Sequence, residues 1–187
     1  TTAQRWSHYF AIAWGIIALL IVLNMRNTIL SETSTYVNNE AGITAQYPSG
    51  WLLDESSTDY IFRVRNMQEI GYKTTYQVSL RPISPDTTPR TIIDSLSMQR
   101  AQTLAAFRTL ATQPFDISQE LQGQQVNYTY VATGPNPFLE SIPNVVFGID
   151  IVFVSRGQAI VITLLSNADQ IDTNREQFFT FVDQLEF

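Results

Sequence analysis

The sequence has no cysteine, a single histidine, His8, and a single lysine, Lys73, among its 187 residues. Without cysteine there is no disulfide, no thiolate metal site, no iron–sulfur cluster and no haem attached through C-x-x-C-H. The only imidazole lies beside an apolar run at the start of the chain. The rest of the sequence therefore cannot assemble a Ser–His–Asp or Cys–His arrangement, nor a histidine-ligated zinc. His8 reads as an interfacial polar residue next to Trp6 and Tyr9, with a quinol or haem contact as its functional alternative. Lys73 leaves Schiff-base chemistry formally open. No Gly-rich phosphate loop and no EF-hand spacing is present. The expectation is a chain with no catalytic residue, no metal and no cofactor.

Positive charge is also scarce. Eleven basic residues stand against 17 acidic ones, for a net charge of −6. Only Arg5 and Arg26 precede Glu32, so the remainder carries nine basic residues and all the acids, a net charge of −8. A domain of that sign repels phosphate backbones, and no nucleic-acid partner is expected.

One long apolar run exists. Residues 9–23 include no charged side chain, and extended to Trp6 and Met25 the stretch is long enough to cross a hydrocarbon core of ~30 Å as a helix. The sequence thus predicts a transmembrane anchor over residues 1–26, with the lipid bilayer as its surroundings. Trp6, Tyr9 and Trp14 cluster toward one end, as aromatics do at a membrane interface, and Arg26 closes the other between Asn24 and Asn27. A cleaved signal peptide is the rival reading, but no small-x-small site follows Leu23. Arg5 and Arg26 flank the run evenly, and residues preceding Thr1 would enter that count. The acidic domain favours a cytoplasmic N-terminus and a C-terminal domain that is periplasmic or extracellular. Ala11, Gly15 and Ala18 place three small side chains on one helix face, a pattern that admits a neighbouring helix, although Gly and Ala are common in such helices anyway.

Residues 27–40, rich in Ser, Thr and Asn, read as a linker with a short strand at 35–37. Residues 41–187 read as one extracytoplasmic domain. Strands are predicted at 43–47, 51–53, 60–65 and 76–80, the last alternating apolar and polar. Pro82, Pro85 and Pro89 interrupt the pattern, and Thr88-Pro89 is a helix start for a helix running to Ala111 that turns Ile93, Leu96, Leu104, Phe107 and Leu110 inward. Residues 115–121 and 125–132 form a predicted hairpin around Gly123. Residues 145–154 and 158–165 form a second around Ser155-Arg156-Gly157, and their apolar runs mark central strands covered on both faces. A helix over 169–184 follows. The class is α+β: an antiparallel sheet packed by helices, preceded by one transmembrane α-helix.

The stretch Ile43-Thr44-Ala45-Gln46-Tyr47-Pro48-Ser49-Gly50-Trp51 resembles the opening of the PsbP/Mog1-like superfamily, a strand followed by Tyr-Pro-x-Gly-Trp. The order of later elements is similar over residues 35–187. Pro48 and Gly50 reverse the chain so that Trp51 plugs the sheet edge, a structural role. The resemblance implies a non-enzymatic domain that binds a larger partner, such as the lumenal face of photosystem II or a small GTPase. It carries over no binding residue, and the metal-binding histidines of that superfamily have no counterpart here.

The functional expectation is a non-catalytic, single-pass accessory subunit of a bacterial membrane electron-transfer complex, photosynthetic or respiratory. Alternative complex III would suit such a subunit, and its partners would be the other membrane subunits. A stand-alone membrane-anchored domain that binds a small ligand or peptide is the alternative. A third class, two-carboxylate hydrolysis, would draw on Asp54, Glu55 and Asp59. Asn127-Tyr128-Thr129 matches a glycosylation acceptor but falls in a predicted strand.

Overall fold

Strands with apolar side chains on both faces occupy the middle of the sheet, and the remaining elements cover them. The computed structural model describes residues 12–23, 32–116, 122–133 and 143–187. Residues 12–23 are helical (α1). The domain then runs β1 (Thr33–Asn38), β2 (Ile43–Pro48), β3 (Leu52–Asp54), β4 (Phe62–Arg65), β5 (Thr75–Pro82), α2 (Pro89–Thr103), β6 (Ala105–Asp116), β7 (Gln122–Ala132), β8 (Asn144–Ser155), β9 (Gln158–Asn167), a 3-10 turn and α3 (Ile171–Asp183). Seven strands form an antiparallel sheet in the order β3-β4-β5-β9-β8-β7-β6, and β1 and β2 pair separately. The predicted α+β class and the central place of the 145–154 and 158–165 hairpin agree with this arrangement.

The period-2 alternation of β8 and β9 assigns side chains to two cores. Ile149, Ile151, Phe153, Ile160, Ile162 and Leu164 face α3 and the β1–β2 pair, where Phe178, Phe181 and Val182 meet Phe62, Val64 and Tyr76. On the other face Val146, Val152, Ala159 and Val161 lie with Val126, Tyr128 and Tyr130 under Ile92, Ile93 and Leu96 of α2. Thr88 caps α2, its Oγ1 accepting the Thr91 N–H at 3.3 Å, with Pro89 at the helix start, as the sequence predicts. Buried polar links tie each layer down. Asn174 of α3 donates to Thr74 Oγ1 (2.9 Å) and Ser166 Oγ (2.8 Å).

Three expectations need correction, and a fourth, the membrane-spanning helix, is not met among the described residues. The helix from Pro89 ends at Thr103 rather than Ala111, because residues 105–116 extend as β6 and pair with β7. The spacing of Leu104, Phe107 and Leu110 imitates a helix. The ladder to β7 nonetheless decides, Phe107 reaching Tyr128 while Leu110 stays exposed. Gly123 is a strand residue and not a turn: a Cβ there would meet the Val152 carbonyl oxygen at 2.8 Å. β1 begins at Thr33, so part of the predicted linker is folded, and Tyr36 is buried with its ring 4.4 Å from Phe62. Finally, among the described residues no helix is long and apolar enough to cross a membrane. At about 1.5 Å per residue, residues 12–23 span about 18 Å. The rest of the proposed span, residues 1–11 and 24–26, lies outside the described residues.

β6 is the long, exposed edge of the sheet. Register shifts between Ala105 and Arg108 and between Thr109 and Ala111 interrupt its pairing, and Ala106 has φ +53°. At the opposite edge β3 is three residues long.

Gly148 gives the sheet its most specific packing requirement. Tyr128, directly across the β7–β8 ladder, lays its ring over that position, and a Cβ there would overlap the ring. Gly148→Ala is therefore expected to destabilise the domain by about 1–3 kcal/mol through overpacking. Urea denaturation would show this as a lower midpoint at unchanged slope.

Candidate functional site

Among the described residues a recess lies on each face of the sheet. The smaller, about 320 Å³, lies between α2 and the sheet and is lined by Gln77, Arg81, Gln99, Arg100, Tyr128 and Tyr130, among others. Beneath it is a buried ion pair. Asp150 is fully buried in β8 and Arg100 reaches it from α2 with both terminal nitrogens, Nη2 to Oδ1 at 3.2 Å. Thr163 Oγ1 (2.8 Å) and the Tyr128 hydroxyl (3.3 Å) also donate to Oδ1. The Arg100 guanidinium lies 4.4 Å from the centre of the Tyr128 ring. Burial pushes the Tyr128 hydroxyl well above its ordinary pKa, and the Asp150 charge adds to that, so it remains a proton donor to the carboxylate. The Tyr72 and Tyr130 hydroxyls bond each other at 2.9 Å. The Asp150 carboxylate is held from β7, β9 and α2 at once, and the Arg100 contacts are the ones that tie α2 to the sheet.

The larger cleft, about 640 Å³, lies on the α3 face. The Pro48–Trp51 turn forms one wall and the C-terminal half of α3, with Gln177, Phe181 and Gln184, forms the other. The turn closes through Trp51 N–H donating to the Pro48 carbonyl at 3.0 Å and Ser49 N–H donating to the Glu32 carbonyl at 3.0 Å. It delivers the Trp51 ring to 4.6 Å from Tyr76, in agreement with the role read from Pro48 and Gly50. Tyr76 is fully buried, packed on Phe178 (5.4 Å) and Phe181 (5.0 Å), yet among the described residues its hydroxyl has no hydrogen-bond partner. Burial, with the charge of Glu69 as a smaller cause, raises the pKa of that hydroxyl, so it stays protonated.

The acidic loop offered by the sequence as a hydrolase site is otherwise employed. Asp54 Oδ1 accepts from Ser56 N (3.0 Å) and Oγ (2.6 Å), while Oδ2 accepts from Arg63 (2.6 Å), Tyr60 (3.0 Å) and Arg65 (3.4 Å). Glu55 and Asp59 are exposed to solvent. Lys73 donates to the carbonyls of Met67 and Glu69, which closes its loop. Asn127 lies within β7 as predicted and accepts from Gln125 at 2.7 Å. Among the described residues no cluster of metal-ligating side chains occurs. Trp14, Gly15 and Ala18 are exposed positions on α1, whereas Trp6, His8, Tyr9, Ala11 and Arg26 fall outside the described residues.

No family model and no curated protein matches the sequence. Solved structures do resemble the fold. Cyanobacterial PsbP (CyanoP) from Synechocystis matches with a TM-score of 0.61 at 15% identity, over 83% of this chain and 92% of that one. LpqN, involved in cell envelope biogenesis of Mycobacterium tuberculosis, matches with a TM-score of 0.53 at 15% identity, over 82% and 89%. The Ran-binding protein Mog1p of Saccharomyces cerevisiae matches with a TM-score of 0.52 at 10% identity, over 83% and 95%. The fold is PsbP/Mog1-like over most of the chain, as the Tyr47–Trp51 stretch implies.

Two experiments follow from the charged groups. Removing one partner of the buried pair, in Asp150→Ala, is expected to cost about 3–5 kcal/mol, and replacing both with apolar residues of similar volume should cost much less. Denaturant midpoints of Asp150→Ala and of the double variant Asp150→Leu/Arg100→Met would show the difference. The second concerns acid. The Ser56 hydroxyl and the Arg63 guanidinium hold the Asp54 carboxyl well below the usual carboxylate range. A carboxyl whose pKa is depressed by folding stabilises the fold above its unfolded pKa, near ~4, and loses that contribution as pH falls toward its folded value. Asp54→Asn should therefore flatten the loss of stability below about pH 4, read from midpoints measured between neutral and acid pH.

Proposed function

We propose that this chain is a non-catalytic accessory subunit whose PsbP/Mog1-like domain binds a larger protein partner. Its N-terminal apolar segment holds it in a bacterial membrane electron-transfer complex, photosynthetic or respiratory. One observation carries the reading: the buried and half-buried acids and bases of the domain, Asp54 with Arg63 and Arg65 and Asp150 with Arg100, are paired with one another. What is left for an outside molecule is surface and cleft. The membrane assignment is supported by the uncharged run at residues 9–23 and by α1, where Ile12, Trp14, Leu19, Leu20 and Val22 are exposed and the Cβ position of Gly15 has open space around it. Exposed apolar side chains on that scale suit lipid or neighbouring helices. With the N-terminus in the cytoplasm the domain lies on the opposite side of the membrane, where its partner subunits would meet it.

A second reading, a stand-alone anchored domain that takes a small ligand or a peptide, draws on a different observation, the aromatic-floored cleft beside Trp51. Extraction of the full chain in mild detergent separates the two. Co-purifying membrane subunits in fixed stoichiometry, identified by mass spectrometry, are expected, and Gly15→Leu with Ala18→Leu should reduce their recovery. A free monomer in gentle detergent would overturn the accessory-subunit reading.

A further inference from the structure

The cleft beside Trp51 combines three properties that no packing requirement explains. Its floor is aromatic, Trp51 packing on Tyr76 and Tyr76 on Phe181. Its rim carries the carboxamides of Gln46, Gln68, Gln177 and Gln184, and no side-chain hydrogen bond engages any of the four. Among the described residues its lining contains no Lys or Arg, and Glu32 is the only charged side chain there. Beneath sits the Tyr76 hydroxyl, buried and unpaired. A buried hydroxyl without a partner is a net loss to the fold, and native proteins pair the great majority of such groups.

The chemistry of an occupant follows from these groups. Each carboxamide offers both an acceptor and donors, which is the complement of a peptide group with its own N–H and C=O. A rim of free carboxamides around an aromatic floor matches an extended chain whose backbone is read at the rim and whose side chain is stacked below. The near absence of charge disfavours a charged occupant, since burying an ion there would leave it without a counter-charge. β1, whose first residue Thr33 lines the cleft, pairs only with β2, so its outer edge is unpaired among the described strands.

We infer that this cleft receives an extended, uncharged polypeptide segment of a partner protein, which places an aromatic or large aliphatic side chain against the part-exposed Trp51 ring and hydrogen-bonds the glutamine rim. The inference rests on the partner-binding reading above and names the contact. The second recess does not compete: its floor is already closed by the Arg100–Asp150 pair.

The test pans a displayed random-peptide library on the full chain in detergent micelles, then measures the enriched peptide by fluorescence of a Trp6→Phe/Trp14→Phe background in which Trp51 reports alone. Enrichment of peptides free of Lys, Arg, Asp and Glu around a central Phe, Trp, Tyr, Leu or Met is expected. Gln177→Ala and Gln184→Ala should each weaken binding about fivefold, the worth of one hydrogen bond. Both side chains are exposed, so each variant should leave the melting temperature unchanged, which separates lost binding from lost folding. No enrichment, enrichment of charged peptides, or undiminished binding to both variants overturns the inference. So does a neutral disaccharide such as maltose that displaces the peptide through the same rim, since the cleft would then be a sugar site. Concentration-dependent dimers abolished by Gln184→Ala would assign it to a second copy of this chain and overturn it likewise. If wild type retains its co-purifying subunits and a Gln177→Ala/Gln184→Ala variant retains them equally, this contact is wrong while the accessory-subunit reading stands.

Discussion

Strands β8 and β9 are apolar on both faces, and that single constraint organises the molecule. A two-sided apolar hairpin is stable only when both sides are removed from water. One side is covered by α2, and the other by α3 together with the β1–β2 pair. The chain order serves this division, since the helix before the second set of strands takes one face and the helix after it takes the other. The small β1–β2 pair completes the second layer, where α3 alone leaves part of the sheet open, and the bridge between Thr44 and Glu186 ties its strand β2 to the end of the chain.

Each layer is held by apolar area and oriented by one polar link. On the α2 side the link is ionic, Arg100 to Asp150. On the α3 side it is neutral, Asn174 to Thr74 and Ser166. A buried ion pair is weak evidence for stability, because desolvation offsets much of its attraction. Its value here is geometric: Asp150 lies in the middle of the sheet, and one guanidinium can satisfy it only when α2 sits at one height along the strands. The neutral link makes a similar demand on α3 at lower desolvation cost. The result is a scaffold whose two helical layers are each fixed by a buried polar link, one ionic and one neutral.

Much of this was readable in the chain because patterns of local origin survive folding. The Tyr47–Trp51 turn, the cap at Thr88-Pro89, the central hairpin around Ser155–Gly157 and the last helix all announce themselves through short-range sterics and periodicity. The end of α2 did not. Leu104, Phe107 and Leu110 keep a helical spacing, and only pairing with β7, decided by residues some twenty positions away, makes them a strand. Gly123 misled for a related reason, since its need is room for the Val152 carbonyl rather than a turn. Asp150 was visible as the one acid between Val145 and Val154, a signal that a polar partner must exist, but nothing local identifies that partner as Arg100. The cleft was less legible still. Tyr76 shows in sequence only as a half-buried strand residue, while the lack of a partner for its hydroxyl is a property of the packed neighbourhood.

The two ends of the sheet differ in a way that bears on life at high local concentration. β3 is too short to template another strand. β6 is long and exposed but broken by two irregularities of pairing, a left-handed Ala106, Arg108 and, near its end, Pro114. An interrupted ladder of that kind does not present a continuous row of donors and acceptors to an identical neighbour. Copies of the domain at high concentration can then touch repeatedly without zipping into fibrils. Contacts made at this edge fall to side chains rather than to bare backbone.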